Sequence, residues 1–232
     1  MISIQHHKII AIHQPNFFPW LGYFSKIKQA DAFVFLDNVD ISLHNSNAIT
    51  HRTRINYIGK PMWLSVPMEK TETKKIQFLK IRENEPWREK QTQIITQAYS
   101  NAPFFNEIFP IFKEWLNYDE KRLSKFNAYI IKEVSKFLAI KTEFYFASEL
   151  GINENDSTLR LIEICKKLNG TIYLSGLGGK KYHNEALFAE NQIEVKYTTF
   201  SPKEYDHHSG YIQGLSVLDA LLECGKNTRN LL

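Results

Sequence analysis

The first forty residues constrain the fold most strongly. The apolar run "KIIAIH" (Lys8–His13) is too short for a helix, and Pro15 prevents its continuation as a central strand. Apolar residues then recur at helical spacing from Leu21, and "AFVFLDNV" (32–39) predicts a second strand. Strand, helix and strand within about thirty residues form a βαβ unit, so the two strands should pair in parallel.

The rest of the chain extends this pattern. Residues 40–56 are polar without an apolar period, which predicts a functional loop or lid, and "MWLSVPM" (62–68) predicts another strand. A helical pattern over 87–137, punctuated by Pro103 and Pro110, precedes a return to alternating helices and strands. We therefore predict an α/β fold with a mostly parallel sheet of βαβ units, helices packed around it, and a central helical insertion at about 87–140.

Composition narrows the class of protein. The 232 residues suffice for a single domain over 1–232, and the net charge of +4 is scattered, so no nucleic-acid partner is expected. The two cysteines, Cys165 and Cys224, lack zinc-site spacing, which predicts a reduced, cytoplasmic protein without a structural metal. The sequence shows neither a signal peptide nor a membrane span, and it does not indicate an oligomeric state.

Three polar clusters follow predicted strands. They are His13 to Asn16, Asp37 with Asn38, and the glycine-rich stretch Ser175 to His183. Ligands of open α/β sheets bind beyond the carboxyl ends of the strands, where the strand order reverses. If these strands are neighbours, the three clusters face one pocket.

Of the three clusters, the glycine-rich stretch most clearly indicates a kind of ligand. Gly176, Gly178 and Gly179 let backbone N–H groups approach an oxyanion, the following helix start adds a favourable dipole, and Lys180 or Lys181 supplies positive charge. The stretch matches neither common phosphate-loop pattern, and a tight turn between strand and helix explains the glycines equally well.

The other polar residues each have both functional and structural interpretations. His13 can act as a general base, bind a phosphate or hydroxyl, or be a satisfied half-buried side chain. Asp37 can orient His13, hold a sugar hydroxyl, ligate a cation or cap a loop. Arg52 and Arg54 alternate, so on an extended segment they point the same way, as in a diphosphate clamp or at a solvated strand edge.

Two further features argue against other chemistries. His207 and His208 should point apart on a strand, and no third residue is spaced to complete a metal site. Cys165 lies on an apolar helix face, and the chain contains no GxSxG motif of a serine hydrolase.

The chain resembles the WbqC family across essentially its whole length. "IAIHQPNFFPWLGYFSKIKQADAFVFLDNV" is similar to the opening of that family, in which a strand enters a His/Met-Gln-Pro turn before two aromatics, Pro and Gly-Tyr-Phe. "WLSVPM", "ICKKLNGTIYLSGLGGKKY" and "YIQGLSVLDALLECG" resemble later blocks of the family, in the same order. The sequence departs from the family at Asp40, where Gln is usual, and at His51 before Arg52, which puts substrate choice at this loop in doubt.

The resemblance implies a place in surface-polysaccharide (O-antigen) biosynthesis. It also implies a pocket beyond His13, walled by Phe17, Phe18 and Trp20, and a role in attaching an acyl or aminoacyl group to a nucleotide-linked amino sugar. We take His13 and Asp37 as the candidate catalytic residues. The candidate substrate-binding residues are Gln14, Asn16, Phe18, Trp20, His51, Arg52, Arg54, Ser175, Gly176, Gly178, Gly179, Lys180 and Tyr182.

The co-substrate stays open at this point. Acyl-CoA, an aminoacyl adenylate made from ATP, and aminoacyl-tRNA are all possible donors.

Two other functions are alternatives to acyl transfer. The strand-His-loop-helix opening is similar to the HIGH-type nucleotidyl or adenylyl transferases, although the paired second His is absent, and the chain can also be a non-catalytic partner of a glycosyltransferase complex.

Overall fold

The structure is a computed structural model that describes residues 7–41, 49–181 and 183–232. Its strands and helices are, in chain order, β1 (Ile9–His13), α1 (Leu21–Lys28), β2 (Ala32–Phe35), β3 (Arg52–Tyr57), β4 (Lys60–Ser65), α2 (Trp87–Tyr99), α3 (Phe105–Leu116), α4 (Leu123–Phe137), β5 (Glu143–Phe146), α5 (Ser157–Lys167), β6 (Ile172–Ser175), α6 (Glu185–Glu190), β7 (Glu194–Tyr197) and α7 (Val217–Cys224). Short 3₁₀ turns lie at Ile76–Phe78, Ala147–Glu149, Leu177–Lys181 and Gly225–Leu231. No described helix is long and apolar enough to cross a membrane.

The chain divides into two compact units, which we describe separately. The first comprises residues 1–14, 25–36 and 141–200, and the second comprises 15–24, 37–140 and 201–232. The prediction of one domain over 1–232 stays a prediction.

The first unit is built on a five-stranded sheet in the order β5-β2-β1-β6-β7. Every neighbouring pair is parallel, and β1 pairs with β2 in the register Ile10 opposite Ala32. The predicted α/β fold with βαβ units is confirmed. The three inner strands, β2, β1 and β6, are buried on both faces, as parallel strands usually are, whereas the edge strands β5 and β7 are partly exposed.

Alternation along the strands builds two apolar layers in this unit. Ile10 and Val34 contribute to a buried cluster that includes Ile162 and Cys165 of α5. Phe35 follows Val34 on β2 and points to the opposite face of the sheet, because successive side chains of a strand alternate. Its ring stacks on that of Phe144, with the two centroids 5.5 Å apart.

The second unit contains the helical insertion and a β-hairpin. Helices α2, α3 and α4 occupy the region predicted to be helical, and β3 pairs antiparallel with β4 in a separate two-stranded sheet. Phe18 is fully buried in this unit, and its ring packs against Phe112 and Trp115 at 5.6 and 6.5 Å between centroids.

The structure corrects several predicted elements. The polar segment 40–56 is not a loop throughout, because its last residues form β3; residues 42–48 lie outside the described residues. The hairpin turn is Ile58-Gly59, with φ of +52° and +79°, and a β-branched residue at positive φ carries no turn signal in the sequence. Strand β5 was missed, β2 ends at Phe35 rather than at 39, and Pro110 lies inside α3 instead of ending it.

Candidate functional site

The sheet of the first unit has one topological switch point. The chain runs outward from β1 through β2 to β5, and later from the other side of β1 through β6 to β7. A crevice between the carboxyl ends of β1 and β6 is where doubly wound sheets bind their ligands. His13 ends β1 and Ser175 ends β6, so the strands that carry two of the predicted clusters are neighbours.

His13 is half-buried and electrically neutral in the physiological range. Burial lowers the pKa of its imidazole to about 3, the charge of Lys26 lowers it further, and a hydrogen bond to the Gln14 carbonyl opposes both effects. The ring nitrogen Nδ1 lies 3.2 Å from that carbonyl, which makes Nδ1 the donor. A neutral imidazole can accept a proton, but with this pKa it holds the added proton only weakly.

Lys26 is a charged residue that the sequence reasoning missed. It lies in α1 with only 4% of its surface exposed, and its Nζ donates to the Ile12 carbonyl at 3.0 Å. Burial lowers the pKa of this ammonium group to about 7. A lysine in the last turn of a helix is normally an exposed cap. The available signal in the sequence was that the positions three and four residues earlier on the same helix face are Tyr23 and Gly22, neither of which is charged.

The glycine-rich stretch is a compact turn after β6. It forms a 3₁₀ turn over Leu177–Lys181, and helix α6 begins later, at Glu185, after an Asn184 cap. The prediction that a helix dipole lies directly behind the glycines is therefore wrong. Helix α6 has only six residues, and the Asn184 side chain already accepts a hydrogen bond from its first turn. Lys180 is exposed, with its Nζ 5.8 Å from the Tyr197 ring centroid; Tyr182 lies outside the described residues.

Within this turn, close packing requires a glycine at position 179. A Cβ atom there would lie 2.4 Å from Ser175 Oγ and 2.5 Å from His183 Cε1. Gly176 and Gly178 have open space instead, so their backbone is accessible. His183 has a buried Nδ1 without a hydrogen-bond partner among the described residues, and burial lowers the pKa of its ring.

The second unit holds a cavity of about 540 Å³. Its lining includes two tryptophans, Trp20 and Trp63, and two arginines, Arg52 and Arg54. Both indoles are 38% exposed, which is high for tryptophan. Trp20 is held in place by its own chain, because its ring covers Gly22 so closely that a Cβ atom there would lie 2.4 Å from the ring.

The two arginines point to the same face of the hairpin, as their alternation in sequence predicts. Arg54 is directly opposite Trp63 across the strand pair. The guanidinium carbons of Arg52 and Arg54 lie 4.3 and 5.7 Å from the Trp63 ring centroid, so both stack as cation–π pairs. Arg54 also donates to the Gly214 carbonyl at 3.5 Å. The result is an indole ring with two positive charges held over it.

The other predicted residues of the second unit lie in its interior. Asn16 is buried, and its side-chain oxygen accepts from Thr50 at 3.5 Å. Asp37 is buried, and its backbone carbonyl accepts from the Gln77 amide. His51 is half-buried, with a pKa lowered by burial and by Arg52. Phe18 is a core residue, whereas its neighbour Phe17 lines the cavity.

A buried polar network also lies in the second unit. The rings of His207 and His208 stack 4.9 Å apart at 16°, so the expectation that they point apart is wrong. His207 Nε2 lies 3.1 Å from the fully buried Asp219 carboxylate, which also accepts from Tyr99 at 2.6 Å. His208 pairs with Glu223 through Nδ1.

Three of these groups, His207, His208 and Glu223, bring possible metal-ligand atoms within 4.8 Å of one another. However, His207 Nδ1 accepts the Ser209 amide hydrogen at 3.0 Å, so the neutral ring carries its proton on Nε2, the atom that faces the carboxylates. A neutral His207 then has no lone pair for a metal. The network satisfies itself by hydrogen bonds, and we assign it a structural role.

The fold defines an α/β protein with a doubly wound parallel sheet, and its second unit holds a cavity lined by tryptophans and arginines. Sequence comparison then gives the family: the profile of the WbqC-like protein family matches residues 14–231, and the chain belongs to that family. A relative is the Uncharacterized protein Rv1507c of Mycobacterium tuberculosis, 27% identical over 228 residues and covering 94% of each chain. No solved structure matches the chain.

Proposed function

We propose that the protein acts in surface-polysaccharide (O-antigen) precursor synthesis in the cytoplasm, by transferring an acyl or aminoacyl group to the amine of a nucleotide-linked amino sugar. The observation that carries this proposal is the cavity lined by Trp20, Trp63, Arg52 and Arg54. Its volume of about 540 Å³ falls within the range of small-molecule sites.

Each part of a nucleotide sugar finds matching chemistry in this cavity. An exposed indole stacks on a nucleobase or on the apolar face of a sugar. A guanidinium group binds phosphate oxygens through two parallel hydrogen bonds and keeps its charge at any physiological pH. We therefore propose that Arg52 and Arg54 hold the diphosphate, while Trp20 and Trp63 contact the base and the sugar.

The chemical step requires loss of a proton from the sugar amine, because a protonated amine has no lone pair for attack on an activated carbonyl. The proposed acceptor is His13, with Asp37 as a predicted positioning residue. Burial lowers the pKa of His13, which keeps its ring neutral and able to accept a proton but makes it a weak base. An unchanged rate in His13→Ala at saturating substrate would reject this role.

The proposed donor of the acyl or aminoacyl group is acyl-CoA, an ATP-derived aminoacyl adenylate or aminoacyl-tRNA.

A second candidate function is nucleotidyl or adenylyl transfer. When only the five strands of the parallel sheet are counted in chain order, their spatial order is 3-2-1-4-5. Doubly wound nucleotide-binding folds have this order. His13 follows the first strand, as in the HIGH-type enzymes, but the paired second His is absent. ATP–pyrophosphate exchange dependent on an amino acid or sugar phosphate would favour this candidate.

The test is a thermal-shift panel with UDP- and TDP-linked amino sugars, acyl-CoAs, ATP, and ATP with glycine. A ligand that binds only the native state raises the melting temperature. We expect a shift with an amino-sugar nucleotide, lost in Arg54→Met and kept in Lys60→Met, a matched change of an exposed charge on the same hairpin. A shift with ATP alone would favour adenylyl transfer, and no shift would favour a non-catalytic assembly partner.

A further inference from the structure

Lys26 is a buried cation in the first unit whose charge has no carboxylate counter-ion. Its Nζ carries three hydrogens, and the Ile12 carbonyl accepts one of them at 3.0 Å. The Phe33 ring, 5.8 Å away, adds a weak cation–π contact. Within residues 7–41, 49–181 and 183–232, no carboxylate pairs with Lys26. Burial without a counter-ion disfavours the charged form of this amine, and an anion bound at Nζ would restore the charge, so Lys26 is suited to bind an anion.

Two imidazoles lie within electrostatic range of this ammonium group. The positive charge of Lys26 contributes to lowering the pKa of both His13 and His183. These rings follow β1 and β6, the two strands at the switch point. The acidic group that acts on His183 is Glu185, which is exposed and accepts a hydrogen bond from Tyr197 at 2.7 Å. The charge of Lys26 thus acts on His13 at the end of β1 and on His183 after β6.

The turn after β6 supplies further polar groups beside His183. The Ser175 hydroxyl and the His183 ring meet over Gly179, which is why a Cβ atom there would collide with both. His183 Nδ1 is buried without a hydrogen-bond partner in the described part of the chain. No atom lies within 4 Å of a Cβ added at Gly176 or Gly178, so there is open space beside this turn. A hydroxyl and an unsatisfied imidazole nitrogen are groups that bind tetrahedral oxyanions.

We propose that Lys26, His183 and the turn from Ser175 to Gly179 bind a phosphate group of a nucleotide-type co-substrate. Lys26 then supplies the positive charge of this site, in place of the exposed Lys180 that the sequence suggested. The observations that carry this site come from residues of the first unit and do not include the cavity of the second; its assignment to the acyl donor, ATP or CoA, rests on the proposed function.

The experiment measures pyrophosphate binding by calorimetry. It is done in an Arg52→Met, Arg54→Met background, so that the arginine pair of the other unit does not compete. Lys26→Met should weaken binding about 10-fold or more, because a charge-assisted hydrogen bond is lost. Lys28→Met is the matched control, the same change at an exposed position of α1, and should bind like its background.

A second measurement guards against misfolding of Lys26→Met and uses the unmutated protein. The pKa of Lys26 is followed by NMR of ¹³C-labelled lysine, with and without saturating pyrophosphate. A ligand that binds the charged form 10-fold more tightly raises that pKa by one unit, so a rise of this size or more is expected.

The outcomes separate the possibilities. An unchanged Lys26 pKa with pyrophosphate bound, or loss of binding in Lys180→Met but not in Lys26→Met, overturns the proposal. Competition of ATP and of CoA against pyrophosphate then identifies which co-substrate carries the phosphate. Loss of nucleotide-sugar binding in Arg54→Met is a separate result, so failure of one proposal does not count against the other.

Discussion

The guanidinium group of Arg52 lies over the indole ring of Trp63, with its carbon atom 4.3 Å from the ring centroid. This stack fixes the charge of a long, flexible side chain at one place on the cavity wall. A ligand that stacks on Trp63 therefore meets a phosphate-binding group that is already positioned, and less conformational entropy is lost on binding.

Trp63→Ala should weaken binding of an amino-sugar nucleotide by about 10-fold or more, because stacking on an aromatic side chain is worth roughly 1–3 kcal/mol. Isothermal titration calorimetry measures the effect. Phe78→Ala is the control, since Phe78 is a highly exposed aromatic of the same unit outside the cavity. Equal affinities in wild type and Trp63→Ala would remove the tryptophan from the site.

Lys26 should make the free energy of unfolding depend on pH in the alkaline range. Its pKa falls from 10.5 to about 7 on folding, so between these values the unfolded chain binds more protons than the native protein. Stability therefore rises with pH from about 7 to 10, by up to about 1.4 kcal/mol per pH unit. Urea denaturation of wild type and Lys26→Met across this range measures the difference.

The Lys26→Met variant should lack this component and be the more stable protein near pH 7. Other titrating groups contribute equally to both proteins, so the difference between the two curves isolates Lys26. A difference that stays constant from pH 7 to 10 would mean that Lys26 is solvated in the native state.

Gly179→Ala should destabilise the first unit by about 1–3 kcal/mol, because its Cβ atom must displace the Ser175 hydroxyl and the His183 ring. Gly178→Ala is the matched control one residue earlier, where no atom lies within 4 Å of the added Cβ. Its free energy of unfolding should stay within about 0.5 kcal/mol of wild type. Similar losses in both variants would show that the turn, and not the contact, needs glycine.

Tyr99→Phe should lower the free energy of unfolding by about 1–3 kcal/mol, since two buried partners lose a hydrogen bond. The Tyr99 hydroxyl donates to Asp219 at 2.6 Å and accepts the Asn56 amide hydrogen at 2.9 Å. Tyr57→Phe removes an exposed hydroxyl that bonds Gln97, and should cost little. Chemical denaturation at pH 7 compares the two, and equal values would mean that water replaces the buried bonds.

Local signals in the sequence were sufficient for the βαβ opening and the helical insertion. The apolar run of β1, the helical spacing from Leu21 and the run of β2 each depend on neighbours within a few residues. The alternation of Arg52 and Arg54 correctly indicated a shared face for the same reason. The sequence did not predict the hairpin turn, because Ile58 is an unusual turn residue. It did not predict β5 either, because the four residues "EFYF" are too few to give a clear strand pattern.

The sequence by itself therefore determined the α/β class and the family, and it indicated Trp20, Arg52 and Arg54 of the cavity but neither Trp63 nor Lys26. Tertiary structure decided the electrostatic character of those sites. Lys26 and His13 look ordinary in sequence, and only burial by distant parts of the chain lowers their pKa values, to about 7 and about 3. Solvation depends on what surrounds a group in space, and the nearest neighbours in sequence do not fix those surroundings.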